Sequence, residues 1–393
     1  MPELQGVRIV CIATVPFFVV TQLGGQIAAM LAAGMRVTLV TSPGYELERL
    51  PAHPHLAIHT LDIRRNISPL ADCRALWRLI RLFHESCPEI VHSTTPKAGL
   101  LTAVAAWIAR VPVRLHTFTG QPWLGLQGPK RWVARFADRV IGHLNTMCYA
   151  DSPSQRRFLV EEGLLSENCI SMIGRGSLAG VDIERFSVGH MGSEIRAQVR
   201  AKLNIGAETP VLLFLGRIAR DKGIHELLDA AQQLHEDGID FCLLLVGPMD
   251  DETGGKETVT RSEFDKLPFL RYAGYTSVPE HYLCAADVFC LPSYREGFGT
   301  TVIEAAAMGL PTVGTRINGL IDAVVDGETG LLVEPKNASA LADALRVLLA
   351  APELRKRLGI QARERVVRSF AADRVNAALL AEYERLLHRE QLA

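Results

Sequence analysis

The sequence of 393 residues lacks the spacings that usually hold metal ions or disulfide frameworks. Its eight cysteines form no Cys-x-x-Cys pair, and no two aspartates stand two positions apart. Pairs of these kinds are signatures of zinc sites, disulfide scaffolds and Asp-x-Asp metal clamps. We therefore expect no bound metal and no cofactor, and we expect the cysteines to be free thiols.

Long apolar runs and a basic leader are also missing. The most membrane-like segments, residues 9–20 and 98–109, are too short to span a bilayer. Arg8 is the only early cation, so the N-terminus lacks the basic start of a signal peptide. We therefore expect a cytoplasmic protein.

The apolar content and its periodicity predict an α/β protein with two domains. Hydrophobic residues make up 48% of the chain, and its length suits two ordinary domains. Apolar runs of strand length alternate with helical patterns, which favours parallel sheets with helices on both faces. The predicted strands are residues 7–13, 37–41, 90–92, 113–117, 147–151, 170–173, 211–215, 241–246, 271–273, 288–291, 312–313 and 331–333. We interpret residues 185–204 as a linker and residues 373–392 as a long amphipathic helix.

Two segments in the second half carry the strongest chemical signal. One reads Arg295-Glu296-Gly297-Phe298-Gly299-Thr300-Thr301 and leads into an alanine-rich helix with Glu304. Glycines let backbone N–H groups approach a ligand closely, and the start of a helix favours an anion. The other segment places Arg217 and Lys222 after a strand, followed by Gly223. Together the segments indicate a site for a sugar joined to a diphosphate.

Each of these residues also has a purely structural interpretation. The run Thr301-Val302-Ile303-Glu304 fits a capping box, in which Glu304 would only bond the first backbone donors of its own helix. Arg217 and Lys222 are also compatible with a solvated pair on an ordinary loop.

The second-half block resembles the retaining glycosyltransferases of family 4, which have the GT-B fold. Their signature is two glutamates separated by seven residues, matched here by Glu296 and Glu304. The resemblance implies that Glu304 holds the nucleotide ribose and that Glu296 lies by the donor sugar. It implies that Arg217 and Lys222 hold the diphosphate. The fold it implies is a pair of Rossmann-like doubly wound domains facing a central cleft, residues 1–190 and 205–370, with a helix over 371–393 that crosses back to the first domain.

Other residues join the donor site by the same resemblance. Gly24 and Gly25 follow the first strand, where the family places a loop against the donor diphosphate, although a structural turn is a ready alternative. The pair is not part of a Gly-x-Gly-x-x-Gly dinucleotide motif. Tyr275 follows the strand at 271–273 and is expected near the base. The backbone of residues 297–301 is expected to donate to the diphosphate.

Three segments of the first half refine the resemblance. They begin at Arg64, at His92 and at His116, and each lies at or near the end of a predicted strand or in a loop. The set is similar to the subgroup that extends undecaprenyl-diphosphate-linked glycans of O-antigen, capsule or bacterial N-glycans. It implies that His116 lies beside the donor sugar, where a histidine can bond a hydroxyl or stabilise charge. A satisfied histidine at a strand end is the structural alternative.

The acceptor is expected to contact four side chains of this half. Cations such as Lys97 and Arg65 suit an acceptor diphosphate. His92 and Trp123 are further candidates, and Trp123 either stacks on a sugar or fills the core.

The charge distribution points to a membrane surface rather than to nucleic acid. Residues 1–186 contain 19 basic and 14 acidic residues, although the whole chain has a net charge of −1. A basic half suits an acidic lipid surface or a lipid-linked diphosphate. Lys130, Arg131 and Trp132 begin a basic-aromatic stretch suited to the inner face of the cytoplasmic membrane, although an ordinary amphipathic helix explains it equally well.

The function predicted from the sequence is transfer of an N-acetylhexosamine or hexose from a UDP-sugar, with retention, to a lipid-diphosphate-linked saccharide. His116 and Glu296 are the expected catalytic residues. A UDP-sugar 2-epimerase of GT-B fold is one alternative, since it would use the same nucleotide pocket without the acceptor segments. A catalytically silent nucleotide-sugar-binding protein is the other.

Overall fold

Each half of the chain is built around a parallel sheet, as the alternating apolar pattern predicts. A computed structural model describes residues 2–63, 68–250 and 259–392. The chain divides into two units, Met1–Gly180 with Ala372–Ala393, and Val181–Ala371. The predicted α/β fold class is confirmed, and the two doubly wound sheets are those of two Rossmann-like domains.

The first unit contains a seven-stranded parallel sheet in the order β3-β2-β1-β4-β5-β6-β7. Its strands are β1 (Arg8–Ile12), β2 (Arg36–Thr41), β3 (Leu56–Thr60), β4 (Ile90–Thr94), β5 (Val113–Phe118), β6 (Met147–Ala150) and β7 (Ile170–Ser171). Its helices are α1 (Pro16–Phe18), α2 (Gly24–Ala32), α3 (Pro69–Ser86), α4 (Pro96–Ile108), α5 (Gly128–Leu144) and α6 (Pro153–Glu161). Strand β4 ends in polar residues, and β5 carries His116 and Thr117 just before its last residue, so these polar side chains lie toward the carboxyl edge of the first sheet.

The second unit contains a six-stranded parallel sheet in the order β10-β9-β8-β11-β12-β13. Its strands are β8 (Val211–Leu215), β9 (Cys242–Val246), β10 (Leu270–Gly274), β11 (Val288–Leu291), β12 (Thr312–Thr315) and β13 (Gly330–Val333). Its helices are α7 (Val188–Lys202), α8 (Ile224–Glu236), α9 (Arg261–Phe264), α10 (Pro279–Ala285), α11 (Thr300–Ala307), α12 (Leu320–Ala323), α13 (Ala338–Ala350) and α14 (Pro352–Ser369).

Helix α15 (Ala372–Gln391) belongs to the first unit. Leu379, Leu380 and Tyr383 are buried in the same core cluster as Ile27 and Met30 of α2. As its amphipathic pattern predicts, this 20-residue helix buries its apolar face in the core of the first unit. None of the helices formed by the described residues is long and apolar enough to cross a membrane.

The interpretation of residues 185–204 as a linker is wrong. Most of this segment is α7, a helix of the second unit, and Arg200 fixes it to that unit's sheet. The buried Arg200 guanidinium donates to Asp287 Oδ2 at 2.8 Å and to the carbonyls of Ala285 and Thr209. Arg196, one turn earlier, reaches Asp287 Oδ1 at 2.8 Å. The segment is polar in sequence because its anchors are arginines rather than apolar side chains.

Candidate active site

The candidate donor site lies where two neighbouring strands of the second sheet end. Strand β8 lies between β9 and β11, so the connections after β8 and β11 leave in opposite directions. Ligands of doubly wound sheets bind at such a switch point, beyond the carboxyl ends of the strands. The loop after β8 holds Arg217 and Lys222, and the loop after β11 holds Glu296.

Lys222 and Glu296 form an ion pair between these two loops. Lys222 Nζ lies 2.6 Å from Glu296 Oε1, and the hydroxyl of the buried Ser293 donates to the same oxygen at 2.8 Å. Ser293 is itself held in place, because Thr315 Oγ1 donates to its carbonyl. Both charged side chains are mostly shielded from solvent. The structure therefore brings together two predicted site residues that are 74 positions apart in the sequence.

Asp221 is the centre of a second set of ion pairs in the same loops. Its Oδ1 lies 3.4 Å from Arg217 Nη2, and its Oδ2 lies 3.0 Å from Arg295 Nη2. Burial raises the pKa of Asp221, but the charges of Arg217 and Arg295 outweigh burial and hold that pKa below its usual value. Asp221 is thus an anion at neutral pH. Asp250 pairs with the other end of the Arg217 guanidinium.

The two loops pack too closely for a side chain at Gly223. This residue has a φ of +72°, and a Cβ atom there would lie 2.0 Å from the carbonyl oxygen of Pro292. Gly299 ends the second loop with a φ of +92° and is the N-cap of α11. Left-handed backbone of this kind favours glycine. The glycines of both motifs are therefore explained by backbone geometry as well as by ligand approach.

The capping-box interpretation of Glu304 is wrong. Helix α11 begins at Thr300 with Gly299 as its N-cap, and no side chain caps it. Among the described residues, the half-buried Glu304 carboxylate has no hydrogen-bond partner. Burial raises the pKa of Glu304 to about 7; the charge of Arg185 opposes this rise, and that of Glu280 adds to it. Arg185 in turn pairs with Glu280 at 2.8 Å.

The other predicted donor residues fall in three different settings. Phe298 is buried and packs on Phe370, with ring centroids 5.0 Å apart, so its side chain anchors the loop in the core. Thr300 and Thr301 occupy the first turn of α11, and Gly297 precedes Phe298 in the loop. Tyr275 follows β10 and is 47% exposed.

Gly24 and Gly25 do not form a loop of their own. Helix α1 begins at Pro16 directly after β1 and passes through a π turn at Val19–Leu23 into α2, whose first residues are the two glycines. The early start follows from Pro16, since proline suits the first position of a helix. Asn376 Nδ2 of α15 donates to the Gly25 carbonyl at 3.4 Å. A donor-binding role for this pair stays a prediction.

His116 of the first unit is a buried residue on β5. Its Nδ1 lies 2.9 Å from Ser93 Oγ of β4, and its ring packs edge-to-face on Phe118 at 4.5 Å between centroids. Burial, together with the nearby His92, lowers the pKa of His116 to about 3. The imidazole is therefore neutral at physiological pH and acts as a hydrogen-bonding group rather than as a cation.

His92 has both ring nitrogens occupied by protein groups. Its Nδ1 lies 2.7 Å from the hydroxyl of Tyr383, and its Nε2 lies 2.8 Å from Thr117 Oγ1. Burial lowers the pKa of His92 to about 4. A ring fixed at both nitrogens ties helix α15 to the sheet, so direct contact with an acceptor would have to replace one of these bonds.

Of the remaining acceptor candidates, Lys97 lies at the edge of the sheet and Trp123 lies in the core. Lys97 Nζ lies 2.6 Å from Asp72 Oδ1 at the start of α4, a half-buried ion pair on the edge where β4 ends. Trp123 is buried, stacks on Phe158 and donates from Nε1 to Asp138 Oδ2 at 2.7 Å, which favours its core-filling alternative. Arg65 lies outside the described residues.

Several members of the site escaped prediction although they stand in the quoted motifs or beside them. Asp221, Arg295 and Ser293 flank predicted residues, and a rule pairing each cation with an anion would have selected Asp221. Arg185 and Glu280 are distant in sequence from Glu304 and carry no such signal. No three His, Cys, Asp or Glu side chains group to hold a metal ion within residues 2–63, 68–250 and 259–392.

Similarity to known proteins covers both halves of the chain. Residues 19–174 match the family model of the glycosyl transferase 4-like domain, and residues 195–365 match that of glycosyl transferases group 1. The capsular polysaccharide biosynthesis glycosyltransferase CapM of Staphylococcus aureus is 31% identical over 370 residues, which are 93% of this chain and 94% of CapM. An N,N'-diacetylbacillosaminyl-diphospho-undecaprenol alpha-1,3-N-acetylgalactosaminyltransferase of Campylobacter jejuni is 27% identical, over 75% of this chain and 77% of that protein.

Solved structures of low sequence identity have the same fold. Sucrose-phosphate synthase of Thermosynechococcus elongatus superposes with a TM-score of 0.79 at 23% identity, over 98% of this chain and 100% of that chain. HepE of Anabaena, solved in complex with UDP-glucose, gives a TM-score of 0.76 at 18% identity, over 96% and 99% of the two chains. Both family models and a full-length relative thus show that this chain is an enzyme of the family-4 type of glycosyltransferases, with the GT-B fold.

Proposed function

We propose that this glycosyltransferase moves a hexose or N-acetylhexosamine from a UDP-sugar to a lipid-diphosphate-linked saccharide, with retention, in the assembly of a bacterial surface polysaccharide or glycan. The UDP-sugar donor is supported by the HepE structure, whose ligand is UDP-glucose. The lipid-linked acceptor is supported by the C. jejuni relative, whose name specifies a diphospho-undecaprenol substrate. CapM supports a role in capsule-type polysaccharides.

The observation that carries the proposal is the set of ion pairs around Asp221 and Glu296. Three cations, Arg217, Lys222 and Arg295, face three carboxylates, so the unliganded set is close to neutral. A donor diphosphate competes with the carboxylates for these cations. In the proposed reaction Lys222 leaves Glu296 for the diphosphate, which frees the Glu296 carboxylate to bind hydroxyls of the donor sugar.

The same cations act in the chemical step. Cleavage of the bond between sugar and diphosphate leaves negative charge on the departing diphosphate, while positive charge develops at the sugar. Arg217 and Lys222, with backbone N–H groups at the start of α11, stabilise the departing charge where it forms. We assign no covalent nucleophile, because that mechanism needs a second positioned acid.

Glu304 is assigned to the ribose of the donor. Two vicinal hydroxyls donate well to one carboxylate, and the Glu304 carboxylate has its accepting capacity available among the described residues. Ionisation of Glu304 is therefore required for full donor affinity. Tyr275 stays assigned to the nucleotide base because of its place after β10, and Lys97 to the acceptor diphosphate because of its charge.

The proposal includes docking of the first unit on an anionic membrane through α5. Trp132 and Phe136 are 66% and 52% exposed and stack on each other with centroids 5.6 Å apart. Lys130 and Arg131 stand beside them on the same exposed turn. Exposed aromatic rings next to cations favour the headgroup region of a bilayer, where rings bury apolar area and cations meet lipid phosphates.

The direct test is incubation with a panel of UDP-sugars and lipid-diphosphate-linked mono- and disaccharides, followed by mass spectrometry. We expect one acceptor to gain one sugar, and NMR of the product to show the donor's anomeric configuration. Rapid turnover of a UDP-sugar to its epimer without acceptor would indicate the epimerase alternative. Binding of UDP without product from any pair would indicate the silent binding protein.

A further inference from the structure

Ser93 is the hydrogen-bonding neighbour of the His116 ring. The two residues are direct partners in the parallel pairing of β4 with β5, and Ser93 is fully buried. Ser93 Oγ lies 2.9 Å from His116 Nδ1 and 3.2 Å from the carbonyl oxygen of Leu115. One hydroxyl thus has two neighbours, and it has a single proton to give.

The direction of both bonds follows from the chemistry of the neighbours. A backbone carbonyl only accepts, so both contacts are hydrogen bonds only when the Ser93 proton goes to Leu115 and the Ser93 oxygen accepts from His116. His116 Nδ1 therefore carries a proton. Because the imidazole is neutral, with its pKa lowered to about 3 mainly by burial, Nε2 then carries none.

Two neighbours pack tightly against the His116 ring. Gly99 of α4 packs against it so closely that a Cβ atom at Gly99 would lie 2.3 Å from His116 Cε1. Phe118 covers the ring edge-to-face. Among the residues that the structure describes, His116 Nε2 has no hydrogen-bond partner. A glycine inside a helix is unfavourable by itself, and here it makes room for one ring orientation.

We propose that Ser93 is a positioning residue that holds His116 in its Nδ1–H tautomer and leaves Nε2 as a pure hydrogen-bond acceptor for a donating group of the sugar. This inference rests on the proposed function and on the family resemblance, which implies that His116 lies beside the donor sugar. An acceptor nitrogen bonds a hydroxyl or an amide N–H and disfavours a carboxylate. The group of the donor sugar that meets Nε2 is therefore a hydroxyl or an amide N–H and not a carboxylate.

Nitrogen NMR of histidine-labelled protein tests the tautomer without any substrate. The two tautomers give different Nδ1 and Nε2 shifts, and His116→Gln identifies the His116 signals by their loss. We expect wild-type His116 to carry its proton on Nδ1, and Ser93→Ala to shift it toward Nε2. Thr102→Val is the matched control, since it removes a buried hydroxyl of α4 that has no partner among the described residues, and it should leave the tautomer unchanged.

Kinetics with the cognate donor and acceptor give a second readout. Ser93→Ala should lower kcat roughly five- to tenfold with little change in the KM for UDP-sugar, because loss of the Ser93–His116 bond weakens a contact from His116 to the sugar and not to the nucleotide. Ser93→Thr keeps the hydroxyl and should restore most of the rate.

Two results would overturn the inference: a wild-type proton on Nε2, or a Ser93→Ala spectrum identical to wild type. A protein with no transferase activity would contradict the proposed function. The spectrum would still decide the role of Ser93 at His116, because it requires no reaction.

Discussion

The two units prepare their polar residues for binding in opposite ways. In the second unit, charged side chains on loops pair with one another: Lys222 with Glu296, and Arg217 and Arg295 with Asp221. In the first unit, His92, His116 and Ser93 are buried, neutral and carried by strands. Charged side chains suit a diphosphate, because the cations can leave their carboxylate partners and pair with the phosphates instead. Neutral groups on a rigid sheet suit sugar hydroxyls, because binding a hydroxyl depends on well-oriented hydrogen bonds more than on charge.

Lys222→Ala should have the largest effect of the variants that test this contrast. It removes a cation that the proposal places on the departing diphosphate, and it leaves Glu296 without its ion-pair partner. We expect kcat/KM to fall about 100- to 1,000-fold, as for loss of one transition-state donor. The measurement is product formation with the best donor and acceptor pair.

Lys202→Ala is the control for Lys222→Ala. Lys202 is an exposed lysine on α7 of the same unit. Its removal should leave both activity and thermal stability near wild type, because isolated surface substitutions change stability little. Near-normal activity of Lys222→Ala in a folded protein would refute the diphosphate assignment.

Glu304 should make donor binding depend on pH near neutrality. With a pKa of about 7, the fraction of ionised Glu304 falls about tenfold between pH 8 and pH 6. UDP affinity measured by calorimetry should fall by about the same factor, since the ribose hydroxyls donate to the carboxylate. The raised pKa also stabilises the folded state at low pH, and this contribution is lost as pH rises through 7.

Glu304→Gln separates this effect from the ionisation of UDP itself. The variant cannot ionise, so its remaining pH dependence belongs to the ligand. We expect weaker binding at pH 8 and a flatter profile than wild type. Equal slopes for variant and wild type would mean that Glu304 does not face the nucleotide. No histidine limb is expected between pH 6 and 8 from His92 or His116, because burial keeps both neutral there.

The sequence alone predicted the parallel sheets, and it predicted that the segments after β8 and β11 form one site. Both predictions were possible because buried strands and glycine turns have strong local signals. It was insufficient for β3, a mostly exposed edge strand at Leu56–Thr60, and for α7, which Arg200 anchors through Asp287. The ion pairs of Asp221 and the protonation of His116 depend on residues that only the fold brings together. Local sequence patterns predicted two cations of the site, but they did not identify Asp221, the carboxylate at the centre of the ion pairs.

Gly223→Ala should have an intermediate effect on activity and a measurable one on stability. The new Cβ atom would meet the Pro292 carbonyl, so the loop with Lys222 must move away from the loop with Glu296. Gly238→Ala is the matched control, because Gly238 has a φ of +75° and open space around it. Gly238→Ala should cost about 1 kcal/mol of unfolding free energy from backbone strain alone, with normal activity.

For Gly223→Ala we expect a larger loss of unfolding free energy, about 2–3 kcal/mol, together with a several-fold lower kcat/KM. Denaturant unfolding and initial rates measure the two quantities. If both glycine variants lost the same stability and neither lost activity, contact between the two loops would not be what positions Lys222.

Trp132→Ala should give the smallest effect, on membrane binding rather than on chemistry. It removes an exposed ring from the aromatic pair of α5, so binding to vesicles containing anionic lipid should weaken roughly two- to fivefold in a sedimentation assay. Trp77→Ala is the control, since Trp77 is an equally exposed ring on α3 beside Arg81. Equal losses in both variants would indicate a general effect of exposed rings, whereas a selective loss with Trp132→Ala assigns docking to α5. Because the neutral network around His116 lies inside the sheet, transfer to a short, soluble acceptor should be unchanged in both.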